Sequence, residues 1–243
     1  MNLVVDQGNT RVKLGFFNDE NVLVERVTAP AMDVAFLMPY FERYQPGCGI
    51  VSTVSELNPD VLAYLQSKLK KCIFFNHKTP IPLQNAYQTP HSLGLDRIAA
   101  AVGAWTLKPG CPLLIVDMGT AITYDVVDSK GTFLGGNIAP GMQMRFKSLH
   151  VFTKKLPLVQ PNLNFLRLGV DTDSAICAGV MQGIALETDA YYDLFHRQFP
   201  GLFAFLTGGD SIYFVDKLKS SIFVHENLVL LGLNRILCFH DPA

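Results

Sequence analysis

A chain of 243 residues, 49% hydrophobic and 17% charged, can bury a sizeable core as one large domain or two modest ones. Its formal net charge of −1 and scattered basic residues give no electrostatic reason to expect nucleic acid or an anionic membrane surface as a partner. Strand-like residues begin directly after Met1, no apolar run reaches the roughly 18 residues of a membrane span, and the five cysteines lack any CxxC pair, so the expectation is a cytoplasmic protein with free thiols and no metal-thiolate site.

Leu3 to Asp6, Val12 to Phe17 and Val22 to Val27 read as three strands of a meander, the last two joined by Asn18-Asp19-Glu20-Asn21. Asp33 to Tyr44 carries Val34, Leu37, Met38 and Phe41 at helical spacing, with Asp33 placed as a cap and Pro39 inside. Gly49 to Val54 is a buried strand. Pro59 to Lys71 is a helix with Val61, Leu62, Leu65 and Leu69 on one face and lysines in its last turn, and Cys72 to Phe75 is a further strand. This order suits a mixed sheet with helices on its faces. His77 to Ser92 is a polar, proline-punctuated loop, long for a compact domain and of the kind that carries function. It ends at Leu93-Gly94-Leu95-Asp96-Arg97, and Ile98 to Leu107 follows as an alanine-rich helix.

Beyond the linker Lys108-Pro109-Gly110 the pattern restarts. Leu113 to Asp117 is a strand, Gly119-Thr120-Ala121 a turn, Ile122 to Val127 a second strand, and Thr132 to Gly135 begins a third after the turn Asp128-Ser129-Lys130-Gly131. Asp6-x-Gly8-Asn9-Thr10 and Asp117-x-Gly119-Thr120-Ala121 each follow one apolar strand and precede another, which is the best internal repeat in the chain. The division is therefore placed as 1–109 and 110–243. Met142 to Phe152 reads as helical and Thr153 to Gly169 as irregular. Asp173 to Phe199 is the longest helix, small on one side (Ala175, Ala178, Gly179, Gly183) and apolar on another (Ile176, Val180, Ile184, Leu186), so it suits close packing within the chain or with a second copy. Phe203 to Leu206 is a strand entering Thr207-Gly208-Gly209-Asp210, and Leu228 to Phe239 is a closing helix.

Chemically, the two Asp-x-Gly hairpins suit nucleotide phosphates. Backbone amides and hydroxyls would cradle them, Lys13 would neutralise one, and the aspartates would hold a cation. The glycine-rich Thr207 to Asp210 would leave room for a base and sugar. There is no GKS or GKT ending and no GxGxxG after a strand, so the usual phosphate-loop readings fail. The six histidines show no ligand spacing and read as solvated or packed. Taken alone, Asp96 reads by default as a helix N-cap, Arg97 is open to a reading as a surface ion-pair partner, and Tyr87 is equally an ordinary loop residue.

DQGNTRVK at 6–13, the loop from Tyr87 to Arg97 ending in GLDR, DMGTAITYD at 117–125, GGNIAPG at 135–141, the Thr172 region and TGGD at 207–210 together resemble type III pantothenate kinase. The resemblance spans nearly the whole chain in the same order. It implies an α/β fold of the actin-like ATPase superfamily, with acetate and sugar kinases, Hsp70 and actin, built as two ribonuclease-H-like domains whose mixed sheets are flanked by helices. It also implies ATP-dependent phosphorylation of pantothenate to 4'-phosphopantothenate, the first step towards coenzyme A, by a homodimer using Mg²⁺ and a monovalent cation, K⁺ or NH₄⁺. By position, ATP would be held by Asp6, Gln7, Gly8, Asn9, Thr10, Arg11, Val12, Lys13 and Thr120, and the monovalent cation by Asp117. Pantothenate would meet Tyr87, Gly94, Leu95, Asp96, Arg97 and Thr172, with Asp96 as general base. Asp171 stands where the family often has Asn, and Asn137 sits in an otherwise standard glycine-proline segment. A carboxylate at a helix start beside an arginine is a feeble ground-state base. Phosphoryl transfer tolerates this, because its transition state is loose and the hydroxyl loses its proton late. A non-catalytic nucleotide-dependent regulator and a kinase of another small alcohol are the competing readings; a regulator would have no chemical need for Asp96, Arg97 and Asp117 together.

Overall fold

The computed structural model describes residues 1–8 and 10–240. Two compact units form, one from Met1–Leu107 with the C-terminal stretch from Asn227, the other from Lys108–Glu226. In the first, β1 (Asn2–Gln7), β2 (Val12–Phe17) and β3 (Leu23–Ala29) form the expected antiparallel meander. The chain then crosses through α1 (Val34–Tyr44) to β4 (Cys48–Thr53), and through α2 (Pro59–Lys68) to β5 (Lys71–Phe74), both strands parallel to β1. The resulting order is β3-β2-β1-β4-β5. β1 is central, which is why Leu3, Val4 and Val5 form an unbroken apolar run that is fully buried. Asp33 caps α1 as expected, its Oδ1 accepting from Phe36 N at 2.7 Å. α2 stops short of Lys70 and Lys71: the Leu69 N–H closes back on the Leu65 carbonyl at 3.0 Å, and Lys71 pairs beside Cys48 in β5. Only Lys68 therefore stands in its last turn. After a two-residue strand, β6 (Gln84–Asn85), the unit continues into α3 (Leu95–Leu107).

The second unit repeats this plan. β7 (Leu113–Met118), β8 (Ala121–Val127) and β9 (Thr132–Pro140) are antiparallel, and after α4 (Met142–Phe152) and α5 (Thr172–Gln198) the strands β10 (Phe203–Thr207) and β11 (Ile222–Val224) add in parallel. Its strands run β9-β8-β7-β10-β11, the same order as in the first unit. The internal repeat read at Asp6 and Asp117 is thus a repeat of topology. β9 extends past Gly135 to Pro140 because pairing with β8, from Val127 opposite Phe133 to Ala121 opposite Pro140, outweighs the poor strand propensity of Gly135-Gly136. β11 has only three residues, Ile222-Phe223-Val224, too short a run to stand out along the chain although each favours a strand.

The division at 110–243 is corrected by the last helix. α6 (Leu228–Phe239) belongs to the first unit, packed on α3. A Cβ built on Gly232 would lie 1.7 Å from the Ala99 carbonyl oxygen, and one on Gly103 would lie 2.2 Å from that of Leu228. Both helices are bare where they cross, so their backbones touch. The small side of α5 does not play this part. Gly179 and Gly183 meet nothing within 4 Å, and Leu186, expected on the core side, is 51% exposed, while Ile176, Val180 and Ile184 are buried. α5 also begins at Thr172, one residue early, because Asp171 and Ser174 form a reciprocal capping box. Among the described residues no disulfide joins any of the five cysteines, and no helix is long and apolar enough to cross a membrane.

Gly232→Ala should cost about 1–3 kcal/mol by forcing the two helices apart. Urea unfolding checks this; a midpoint equal to that of the unsubstituted chain would show that the crossing tolerates a methyl group.

Candidate active site

The first hairpin places Asp6 at the end of β1 directly opposite Lys13 on β2, so the two side chains share a face. The turn is closed by the Gly8 N–H on the Arg11 carbonyl at 3.0 Å, with Thr10 and Arg11 exposed. Asn9 lies outside the described residues. Gln7 donates from Nε2 to Ser55 Oγ at 3.0 Å, and Val12 turns into the core. Burial pushes the Asp6 carboxyl from 3.8 up to about 6; the Lys13 charge opposes the rise and the Asp96 charge adds to it. Asp96, far away in sequence, is therefore an electrostatic neighbour of the hairpin.

α3 starts earlier than its apolar pattern suggested, at Leu95, which puts Asp96 inside the first turn. Asp96 is exposed, and its Oδ1 accepts from Arg97 N at 2.9 Å. A Cβ on Gly94 would lie 2.5 Å from that oxygen, so the carboxylate folds back over a place only glycine leaves open. Arg97 is only 6% exposed, with its guanidinium carbon 5.7 Å from the centre of the Tyr87 ring. The Tyr87 loop is tethered by two histidines that sequence spacing could not assign: His77 Nε2 lies 2.8 Å from the Leu93 carbonyl, and His240 Nε2 2.8 Å from that of Pro80. A carbonyl only accepts, so each ring carries its proton on Nε2.

In the second unit Asp117, at the end of β7, stands opposite Thr123 on β8. Thr123 Oγ1 is a buried oxygen without a hydrogen-bond partner, which no motif had singled out. Gly208, at φ +93°, passes so close that a Cβ there would lie 2.5 Å from Asp117 Oδ1 and 2.3 Å from the Met118 carbonyl oxygen. The turn at Thr207-Gly208-Gly209-Asp210 is thereby laid against the Asp117 carboxylate, and burial raises the Asp210 carboxyl. Thr120 is exposed at the hairpin tip, its carbonyl accepting from Gly141 N at 3.1 Å. Thr172 is the exposed first residue of α5. Asp6, Lys13 and Asp96 are thus brought together, as are Tyr87 with Arg97 and Asp117 with Gly208, while Thr120 and Thr172 occupy separate elements of the second unit. No group of three or more His, Cys, Asp or Glu side chains suited to a metal occurs among the described residues.

The repeated mixed sheets flanked by helices define the class: an α/β protein of the actin-like ATPase and sugar kinase fold. A Listeria monocytogenes protein described as an N-acetylmannosamine kinase is 12% identical with a TM-score of 0.57, covering 99% of each chain. A Campylobacter jejuni protein described as a Baf family transcriptional activator is 22% identical with a TM-score of 0.62, covering 99% of this chain and 98% of its own. Sequence comparison is more specific. The family model for type III pantothenate kinase matches residues 2–193, and the type III pantothenate kinase of Phocaeicola vulgatus is 43% identical over 241 residues, 99% of either chain. The chain belongs to the type III pantothenate kinase family and is a kinase.

The Asp6 carboxyl makes stability depend on pH. Because its folded value is raised, the native state holds the proton more tightly, and the benefit present below 3.8 is lost as pH rises through about 6. Asp6→Asn removes that cost and should be more stable than the unsubstituted protein by up to about 3 kcal/mol above pH 6, the advantage fading below pH 4. Thermal melts across pH 3.5–8 check it; an advantage that grows on acidification would refute the sign.

Proposed function

We propose that this chain phosphorylates pantothenate with ATP, the first step of coenzyme A synthesis, in the cytoplasm and as a homodimer. The observation that carries the reading is the exposed Asp96 carboxylate lying within electrostatic reach of the Asp6 hairpin. The tip of the hairpin, Gly8, Asn9 and Thr10, takes ATP phosphates through the amides beyond Gly8, whose own N–H closes the turn on the Arg11 carbonyl; Gln7, Arg11 and Val12 flank it, and Thr120 supplies a second contact. Lys13 offsets phosphate charge while remaining opposite Asp6. Asp96 accepts the proton of the pantothenate hydroxyl with one oxygen already held by the Arg97 N–H. Arg97, seated against the Tyr87 ring, offers the pantothenate carboxylate a forked pair of donors, and Gly94 and Leu95 shape the same turn. Thr172 contributes a hydroxyl to the pantothenate side.

Two cations fit the residues present. Asp6 is a buried carboxyl that Lys13 alone does not compensate, so it suits the divalent ion that accompanies ATP. Asp117 faces the orphan oxygen Thr123 Oγ1, a pair of hard oxygen donors suited to K⁺ or NH₄⁺. Mg²⁺ would neutralise charge on the transferred phosphoryl group and the monovalent ion would add to that neutralisation. Dimer formation is supported by the open space at Gly179 and Gly183 and by Leu186, 51% exposed, on the same helix.

Asp96→Asn should lower kcat by about a hundredfold or more with an unchanged melt, measured in a coupled ATP–pantothenate assay; near-normal turnover would remove Asp96 as the base. Replacing K⁺ by Na⁺ should weaken ATP use in the unsubstituted enzyme, and Asp117→Asn should erase that response. A K⁺ response surviving in Asp117→Asn would place the cation elsewhere.

A further inference from the structure

Arg145 belongs to none of the sequence motifs, yet it ties together the elements around the Thr120 turn. Its Nε donates to the Pro140 carbonyl at 2.8 Å, and its Nη2 donates to Glu187 Oε2 at 2.8 Å. The other Glu187 oxygen accepts from the Tyr124 hydroxyl at 3.0 Å. Tyr124 is fully buried on β8, and its oxygen also lies 3.2 Å from Thr188 Oγ1 on α5. One hydrogen-bonded circuit therefore joins β8, the end of β9, α4 and α5. The circuit closes on the hairpin tip. Pro140 pairs with Ala121, the Gly141 N–H bonds the Thr120 carbonyl at 3.1 Å, and a Cβ on Gly141 would lie 2.3 Å from the carbonyl oxygens of both Gly119 and Thr120. Backbone in that degree of contact cannot move on one side without moving the other.

We propose that Arg145, oriented by Glu187 and Tyr124, is a positioning residue that sets the geometry of the Thr120 turn for the ATP phosphates by holding Pro140-Gly141 against it. This rests on the reading of Thr120 as a phosphate contact. A lone ion pair at a surface contributes little; this one is partly buried, its side chains 20% and 29% exposed. Here the guanidinium spends its two arms on different targets, a backbone carbonyl and a carboxylate, a division the point charge of lysine cannot reproduce. The circuit acts on ATP and not on pantothenate: the pantothenate residues of the first unit are not part of it, and Thr172, the one assigned in the second unit, stands at the start of α5, about four turns from Glu187.

The test is Arg145→Lys, Arg145→Ala and Glu187→Gln in the full chain. Glu187→Gln keeps an acceptor for Tyr124 but turns an amide towards Arg145. Melting temperature, KM for ATP, KM for pantothenate and calorimetric affinity for a non-hydrolysable ATP analogue are read for each. Expected is a roughly five- to twentyfold weakening towards ATP and its analogue in all three, with KM for pantothenate unmoved. The Arg145→Ala/Glu187→Gln double variant should be no worse than the poorer single one, as for groups acting together. Should Arg145→Ala fail to fold, the two charge-conservative or isosteric variants decide the matter. Lowered melting temperatures with ATP affinity unchanged well below the melt would reduce the circuit to a stabilising brace and overturn the proposal. If the unsubstituted protein binds no nucleotide, the reading of the Thr120 turn falls and this inference with it; if it binds and the variants bind equally, only this inference falls.

Discussion

Backbone lies directly on backbone at several glycines of this chain, and these contacts hold its elements in place. The crossing of α3 and α6 at Gly103 and Gly232 joins the end of the chain to the unit that holds Asp6 and Asp96. The same device recurs where chemistry is expected, with Gly141 on the Thr120 turn and Gly208 on the Met118 carbonyl beside Asp117. Such contacts forfeit side-chain burial but fix distances to within a few tenths of an ångström, since neither partner has a rotamer by which to yield. A kinase whose catalytic work is positioning and charge neutralisation gains more from fixed backbone than from a reactive side chain.

Electrostatics at the first hairpin follow from the sheet. β1 is buried along Leu3, Val4 and Val5, so the carboxyl at its end is desolvated before any ligand is present. Lys13 offsets part of this and Asp96 makes it worse. The folded protein thus holds a carboxyl raised to about 6, an unfavourable arrangement for stability that a cation would relieve. The second hairpin holds its own unmet demand in Thr123 Oγ1, an oxygen buried beside Asp117. At equivalent strand ends the two repeats thus hold a desolvated carboxyl in one and a buried hydroxyl without a hydrogen-bond partner in the other.

Much of this was legible from residues alone, because strand and helix periods are local. The meander, the crossover order, the restart after Gly110 and the bounds of the last helix all agree with the structure to within a few residues. Misreadings came where long-range pairing overrode local preference. Gly135-Gly136 lies within β9 because β8 pairs with it, and Lys71, expected at the end of α2, pairs beside Cys48 in β5. The small side of α5 was legible as small, but which helix would use bare residues for packing within the chain was not: that was α3 with α6.

The family, the two Asp-x-Gly hairpins and the GLDR turn are written in the residues alone, since these are short stretches whose residue types and order survive without coordinates. Folding in three dimensions adds that α6 completes the first unit, that Asp96 adds its charge to Asp6, that Thr123 stands opposite Asp117, and that Arg145 reaches Pro140 and Glu187 at once. Each of these joins residues distant along the chain or set by strand register. Charge and hydrogen bonding act through space over a few ångströms, a separation that sequence spacing does not encode.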